Sequence, residues 1–156
     1  MPSGVDLKKN TSPDNAEDAT FLRLQIINGL LALVTSTGAI SRLLSDVKTA
    51  STTDATPTNL FTFTTPDNDK TYVIEGTVQM YNATSGNANV YKFVGQWRKT
   101  SGGTVSQKHF TLVVEDEELA GATIQGSISG DDIRIQVVGV AATNLSWNGQ
   151  FTVLHQ

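Results

Sequence analysis

The 156-residue chain has no cysteine, two histidines and no basic run longer than the pair Lys8-Lys9. Without cysteine there is no disulfide, no thiolate nucleophile and no Cys-ligated zinc. Charged residues make up 17% of the chain and the net charge is -4, so composition gives no electrostatic reason to expect nucleic acid. The longest apolar stretch, Leu30 to Val34, is far short of a membrane span. Met1-Pro2-Ser3-Gly4-Val5-Asp6 lacks the charged-then-apolar pattern of a signal peptide. Neither nucleic acid nor a membrane is an expected partner.

Chemistry is equally sparse. His109 and His155 are far apart in sequence, and no nucleophile elbow or His-Glu-x-x-His helix accompanies them. Glu115-Asp116-Glu117-Glu118 is the densest acidic cluster. Consecutive carboxylates without interleaved Gly or Asn read as a solvated loop rather than a calcium site. Asp67-Asn68-Asp69 reads as part of a turn, and the glycines form no phosphate-cradling pattern. The expectation is a non-enzymatic protein with no metal and no cofactor.

What the chain does have is Thr, Ser, Asn and Gly, and from about Leu60 onward a period of two. Leu145, Trp147, Gly149, Phe151 and Val153 fall on one face, and Ser146, Asn148, Gln150 and Thr152 on the other. The same alternation runs through Tyr72 to Met80, Tyr91 to Trp97, Phe110 to Val114, Ile124 to Ile128 and Ile133 to Val137. A shorter strand carries Phe61 and Phe63. Turn signals separate them at Pro66 to Asp69, Asn82 to Asn89, Ser101 to Gly103, Glu115 to Gly121 and Gly130 to Asp132. Seven or eight strands at such spacing predict a mainly β fold, an antiparallel sandwich or jelly-roll-like module. Trp97 and Trp147 lie in the inward registers, and Tyr81 in the outward one. Gly76, Gly95, Gly126 and Gly149 also fall inward, where they either admit neighbouring aromatics or mark bulges.

Upstream, Ser12-Pro13-Asp14 reads as a helix start, with Gly38 available to end the element. Leu24, Ile27, Leu31 and Val34 are spaced three-four-three, and Phe21, Leu22, Ile26, Leu30 and Leu33 widen the stripe. This predicts an α-helix from Ser12 to about Thr35, buried all round. It packs either under its own β domain or against copies of itself on a symmetry axis. Ala50 to Asn59, with Pro57, reads as a linker or edge strand. The expected division is an assembly or anchoring arm over 1–48 and a β-sandwich module over 49–156.

The segment from Thr71 to the end resembles β modules in structural proteins of tailed bacteriophages. The likeness is carried by Thr71-Tyr72-Val73-Ile74-Glu75-Gly76-Thr77-Val78, a Gly/Asn loop, Val90-Tyr91-Lys92-Phe93 and the turn Ser101-Gly102-Gly103-Thr104-Val105. It continues through Gly130-Asp131-Asp132-Ile133-Arg134-Ile135-Gln136-Val137, Gly139 and the closing Leu145-Ser146-Trp147. The resemblance implies a virion protein made in the host cytoplasm. Such proteins decorate capsids as cement or head fibres, or form tail fibres, commonly as homotrimers. A single short module without shaft repeats favours capsid decoration, with the major capsid protein or another virion protein as partner. Leu24, Ile27, Leu31 and Val34 would then hold the trimer or dock it. The alternative is a receptor- or glycan-binding fibre tip contacting a host surface glycan through the two loops, with Tyr81, Asn87, Asn89 and Glu117 as contacts.

Overall fold

A computed structural model describes residues 6–7, 22–27, 30–34, 40–44 and 47–156, with backbone alone for the strands before residue 47. Among the described residues every element is a strand: β1 (Asp6–Leu7), β2 (Leu22–Ile27), β3 (Leu30–Val34), β4 (Ile40–Leu44), β5 (Lys48–Thr52) and β6 (Thr58–Thr64). They continue as β7 (Lys70–Tyr81), β8 (Ala88–Lys99), β9 (Val105–Glu117), β10 (Thr123–Ser129), β11 (Asp132–Val138) and β12 (Leu145–His155). All pairings are antiparallel. The large sheet runs β1-β2-β3-β4-β12-β7-β8-β9, with β5 also on β12, and the small sheet runs β10-β11-β6.

The expected strands from Leu60 to the end are all present. Their order differs from the paired Greek keys of a jelly roll. β7, β8 and β9 form a meander within one sheet, and β12 returns to its flank. The segment expected as a linker or edge strand contributes β5, which pairs Ala50 with Trp147.

The helix expected from Ser12 to about Thr35 lies mostly outside the described residues. The two described pieces of it, β2 and β3, have extended backbone and pair Ile27 with Leu30 across Asn28-Gly29. Asn-Gly between two apolar runs is a strong hairpin signal, and it competes with the helical period in this segment. The three-four-three spacing of Leu24, Ile27, Leu31 and Val34 makes one face of a helix but not of a strand. β4 pairs Leu43 and Leu44 with Val153 and Thr152 on β12. The expected arm over 1–48 lies mostly outside the described residues; its described strand β4 pairs with β12.

The core lies between the two sheets and follows the inward registers. Tyr72, Ile74, Val78 and Met80 from β7, Tyr91, Phe93 and Trp97 from β8, and Leu145, Trp147, Phe151 and Val153 from β12 are buried on the large-sheet side. Phe61, Phe63, Ile124, Ile133, Ile135 and Val137 answer them from the small sheet. Phe61 stacks on Phe151 with ring centroids 4.5 Å apart, joining the layers. The inward glycines make room for these rings. A Cβ on Gly95 would stand 2.1 Å from the Trp97 indole, and one on Gly126 would stand 2.9 Å from it.

Each end of the sandwich is tied by polar groups. At one end, buried Lys99 donates to the Thr65 carbonyl at 3.1 Å and pairs with Asp131 at 3.1 Å, linking β8 to the β10–β11 turn. Nearby, Tyr72 donates through its hydroxyl to the Asp67 carbonyl at 2.8 Å and stacks on His155 with centroids 5.7 Å apart. Burial pushes the His155 ring below the usual histidine range, with Asp67 opposing and Lys70 adding to the shift. The unfolded chain therefore takes up this proton before the folded chain does. Stability from this group is intact above about pH 6.5 and falls as pH drops below it. His155→Phe should lose less stability than the wild type between about pH 7.5 and about pH 5, measured by urea midpoint.

Candidate binding surface

The two loops singled out in the sequence meet at the end of the sandwich opposite Lys99. The β7–β8 turn is built by Asn82, whose side-chain oxygen accepts from the Thr84 amide at 2.9 Å and the Ser85 amide at 3.3 Å. Gly86 sits at φ +80°, where other residues are strained. Asn89 then joins this turn to the β9–β10 connection. Its Oδ1 accepts from the amides of Glu118 at 3.0 Å and Leu119 at 2.9 Å. Its Nδ2 donates to the Leu119 carbonyl at 2.8 Å and the Tyr91 hydroxyl at 2.6 Å, and that hydroxyl donates to the Ala122 carbonyl at 2.8 Å. Asn87 donates to the Glu118 carbonyl at 3.0 Å, and the Glu118 carboxylate accepts from the Ala88 amide at 2.7 Å.

The four expected contact residues are thus placed differently. Tyr81 is 49% exposed, in the outward register. Asn87 is at the surface and holds the neighbouring loop. Asn89 is 0% exposed, and its polar atoms are taken up within the chain, so it shapes the loops rather than reaching a ligand. Glu117, expected in an acidic loop, lies in β9 and pairs with Asn89, because β9 runs on through the acidic residues. Burial pushes the Tyr91 hydroxyl pKa up, so the network keeps its proton donor at neutral pH. Of the expected anchoring residues, Leu24 and Ile27 lie on β2 and Leu31 and Val34 on β3.

The second surface is the outer face of the large sheet. β7, β8, β9 and β12 are 12, 12, 13 and 11 residues long, and their outward positions mix Thr, Gln, Asn and Ser with valines and with charged residues such as Glu75, Lys92 and Arg98. Among these Tyr81, Val94 and Val113 stay about half exposed. Lys92 and Glu115 pair at 3.3 Å on this face, both open to solvent. A shallow groove of about 390 Å³ crosses it, lined by Glu75, Thr77, Lys92, Val94, Gln150 and Thr152. The period of two predicted these outward positions, but it did not single out Val94 and Val113.

Among the described residues, no group of three His, Asp or Glu is arranged to hold a metal ion, and no helix is long and apolar enough to cross a membrane. His109 lies on β9 with its ring nitrogen against the Thr111 hydroxyl.

No family model matches the chain, and no curated protein matches it. Among solved structures it is similar to the crystal structure of the Acinetobacter baumannii phage AM24 tailspike protein, at 11% identity and a TM-score of 0.38. The match covers 72% of this chain and 26% of that one, so the chain spans about a quarter of the tailspike's length.

Proposed function

We propose that this chain is a non-enzymatic virion structural protein that decorates the capsid surface and stabilises the head. The observation that carries this is the outer face of the large sheet. Strands of 11 to 13 residues give it a length of about 40 Å, and four strands give a width of about 20 Å. The resulting area of roughly 800 Å² is what one partner contributes to a standard protein–protein interface. A mixed surface of polar and a few charged groups with Tyr81, Val94 and Val113 spaced across it suits broad contact with another protein. The resemblance of Thr71 to the end to phage β modules points the same way. Bridging neighbouring capsomers would bury area that must be lost before the shell opens. The homotrimer implied by that resemblance belongs to the same proposal, with Leu24, Ile27, Leu31 and Val34 in the segment that joins the copies.

The second reading, a fibre tip for a host glycan, is favoured by the loop end, where Tyr81 stands exposed beside a pre-shaped pair of loops. Co-sedimentation separates the two. The purified chain should pellet with capsids of its own virion that lack it, and Val94→Asp should weaken that binding at least tenfold. Pelleting with host cells but not with capsids would favour the fibre-tip reading and contradict decoration.

A further inference from the structure

Among the described residues β9 ends the large sheet, paired only with β8, and it is 13 residues long. An exposed edge of this length presents a row of backbone groups that another strand can pair with. Bulges and lysines often guard such edges, and β9 has both. Its irregularities fall at Lys108 and at Glu115, leaving His109 to Val114 in regular register. In that stretch Phe110 and Leu112 are half-buried, and Val113 and Val114 are exposed.

The sequence of this edge is complementary to itself. Lys108-His109 lie at one end, Phe110 to Val114 in the middle and Glu115-Asp116 at the other end. Laid antiparallel on a second copy about Leu112, Lys108 faces Asp116, His109 faces Glu115, Phe110 faces Val114 and Thr111 faces Val113. Residues directly opposite in an antiparallel pair share a face, so each of these pairs meets. The same two-fold operation carries the irregularity near Lys108 onto the one near Glu115. Lys108 and Asp116 are exposed and take part in no ion pair among the described residues. An edge guarded against pairing would present like charges to its copy, whereas this one presents opposite charges at mirrored positions.

We propose that β9 pairs with β9 of a second copy of this chain across a two-fold axis at Leu112, continuing the large sheet from one molecule into the next. This contact is isologous. It is independent of what the outer face binds and of any contact made by residues before Lys48.

The full-length chain carries the test. In a background without cysteine, Leu112→Cys places the thiol on the axis opposite its own copy, within about 5 Å between Cα atoms, where a disulfide closes. Asp116→Cys places its two copies about 26 Å apart. Mild oxidation should convert Leu112→Cys to a covalent dimer and leave Asp116→Cys uncrosslinked. Equal crosslinking of both, or of neither, overturns the pairing. By light scattering, Asp116→Lys should halve the wild-type mass, and Lys108→Glu with Asp116→Lys should restore it. An unchanged mass in the single variant, or no recovery in the double, would also overturn it.

Discussion

Replacing Trp97 with alanine should lower the unfolding free energy by about 3–5 kcal/mol, among the largest effects of any single substitution in the module. The indole is fully buried between the two sheets and packs edge-on to Phe110. It fits there because Gly95 and Gly126 present no side chain to it. Those glycines cannot move into the space that alanine would leave, so the site collapses poorly and most of the cavity penalty persists. The reverse change acts through the same lock. Gly95→Ala puts a methyl group into the ring and should cost about 1–3 kcal/mol. The indole nitrogen has no hydrogen-bond partner among the described residues. Trp97→Phe therefore removes an unsatisfied donor along with some volume, and it should lose clearly less than Trp97→Ala. Urea unfolding followed by circular dichroism measures all three.

Asn89→Ala should destabilise the chain by on the order of 2–4 kcal/mol and release the loop end. The substitution takes partners from the amides of Glu118 and Leu119, from the Leu119 carbonyl and from the Tyr91 hydroxyl. Each group left buried without a partner costs about 1–3 kcal/mol, partly recovered where water reaches the loops. Amide exchange at Glu118 and Leu119 should quicken by more than tenfold, while exchange in the β10–β11 hairpin follows only the global loss. Asn89→Asp keeps the two acceptor bonds and lacks both donors, so it separates the two halves of the network. If Asn89→Ala unfolds at the wild-type urea midpoint, the side chain is not what joins the loops.

The strands were legible because each carries one apolar and one polar face, and the alternation survives through Tyr72 to Met80, Tyr91 to Trp97 and Leu145 to Val153. The same parity placed Trp97 and Trp147 inside and Tyr81 outside. It also extends one step back from Tyr91 to Asn89, which is the signal that Asn89 is a buried organiser rather than a ligand contact. Polar character outweighed register in reading that residue. The long-range joins were not legible, because a bond such as Asn89 to Leu119 depends on where two loops meet in space. Nor were the two irregularities in β9, which leave no mark on the one-residue alternation. From Leu22 to Val34 nine of thirteen positions are apolar and the helical period fits, while the alternation Leu22-Arg23-Leu24-Gln25-Ile26 and the Asn28-Gly29 turn signal fit a hairpin. The outer face was visible as polar, but its size follows from how many long strands line up, which is a property of the topology.

The most direct test of the proposed role is the heat-rupture temperature of capsids of the chain's own virion, stripped of it and then titrated with the purified full-length protein. The rupture temperature should rise with added protein, reach a plateau at a fixed ratio of copies to capsomers, and rise less with Val94→Asp. A rupture temperature that stays the same at saturating protein would contradict capsid stabilisation.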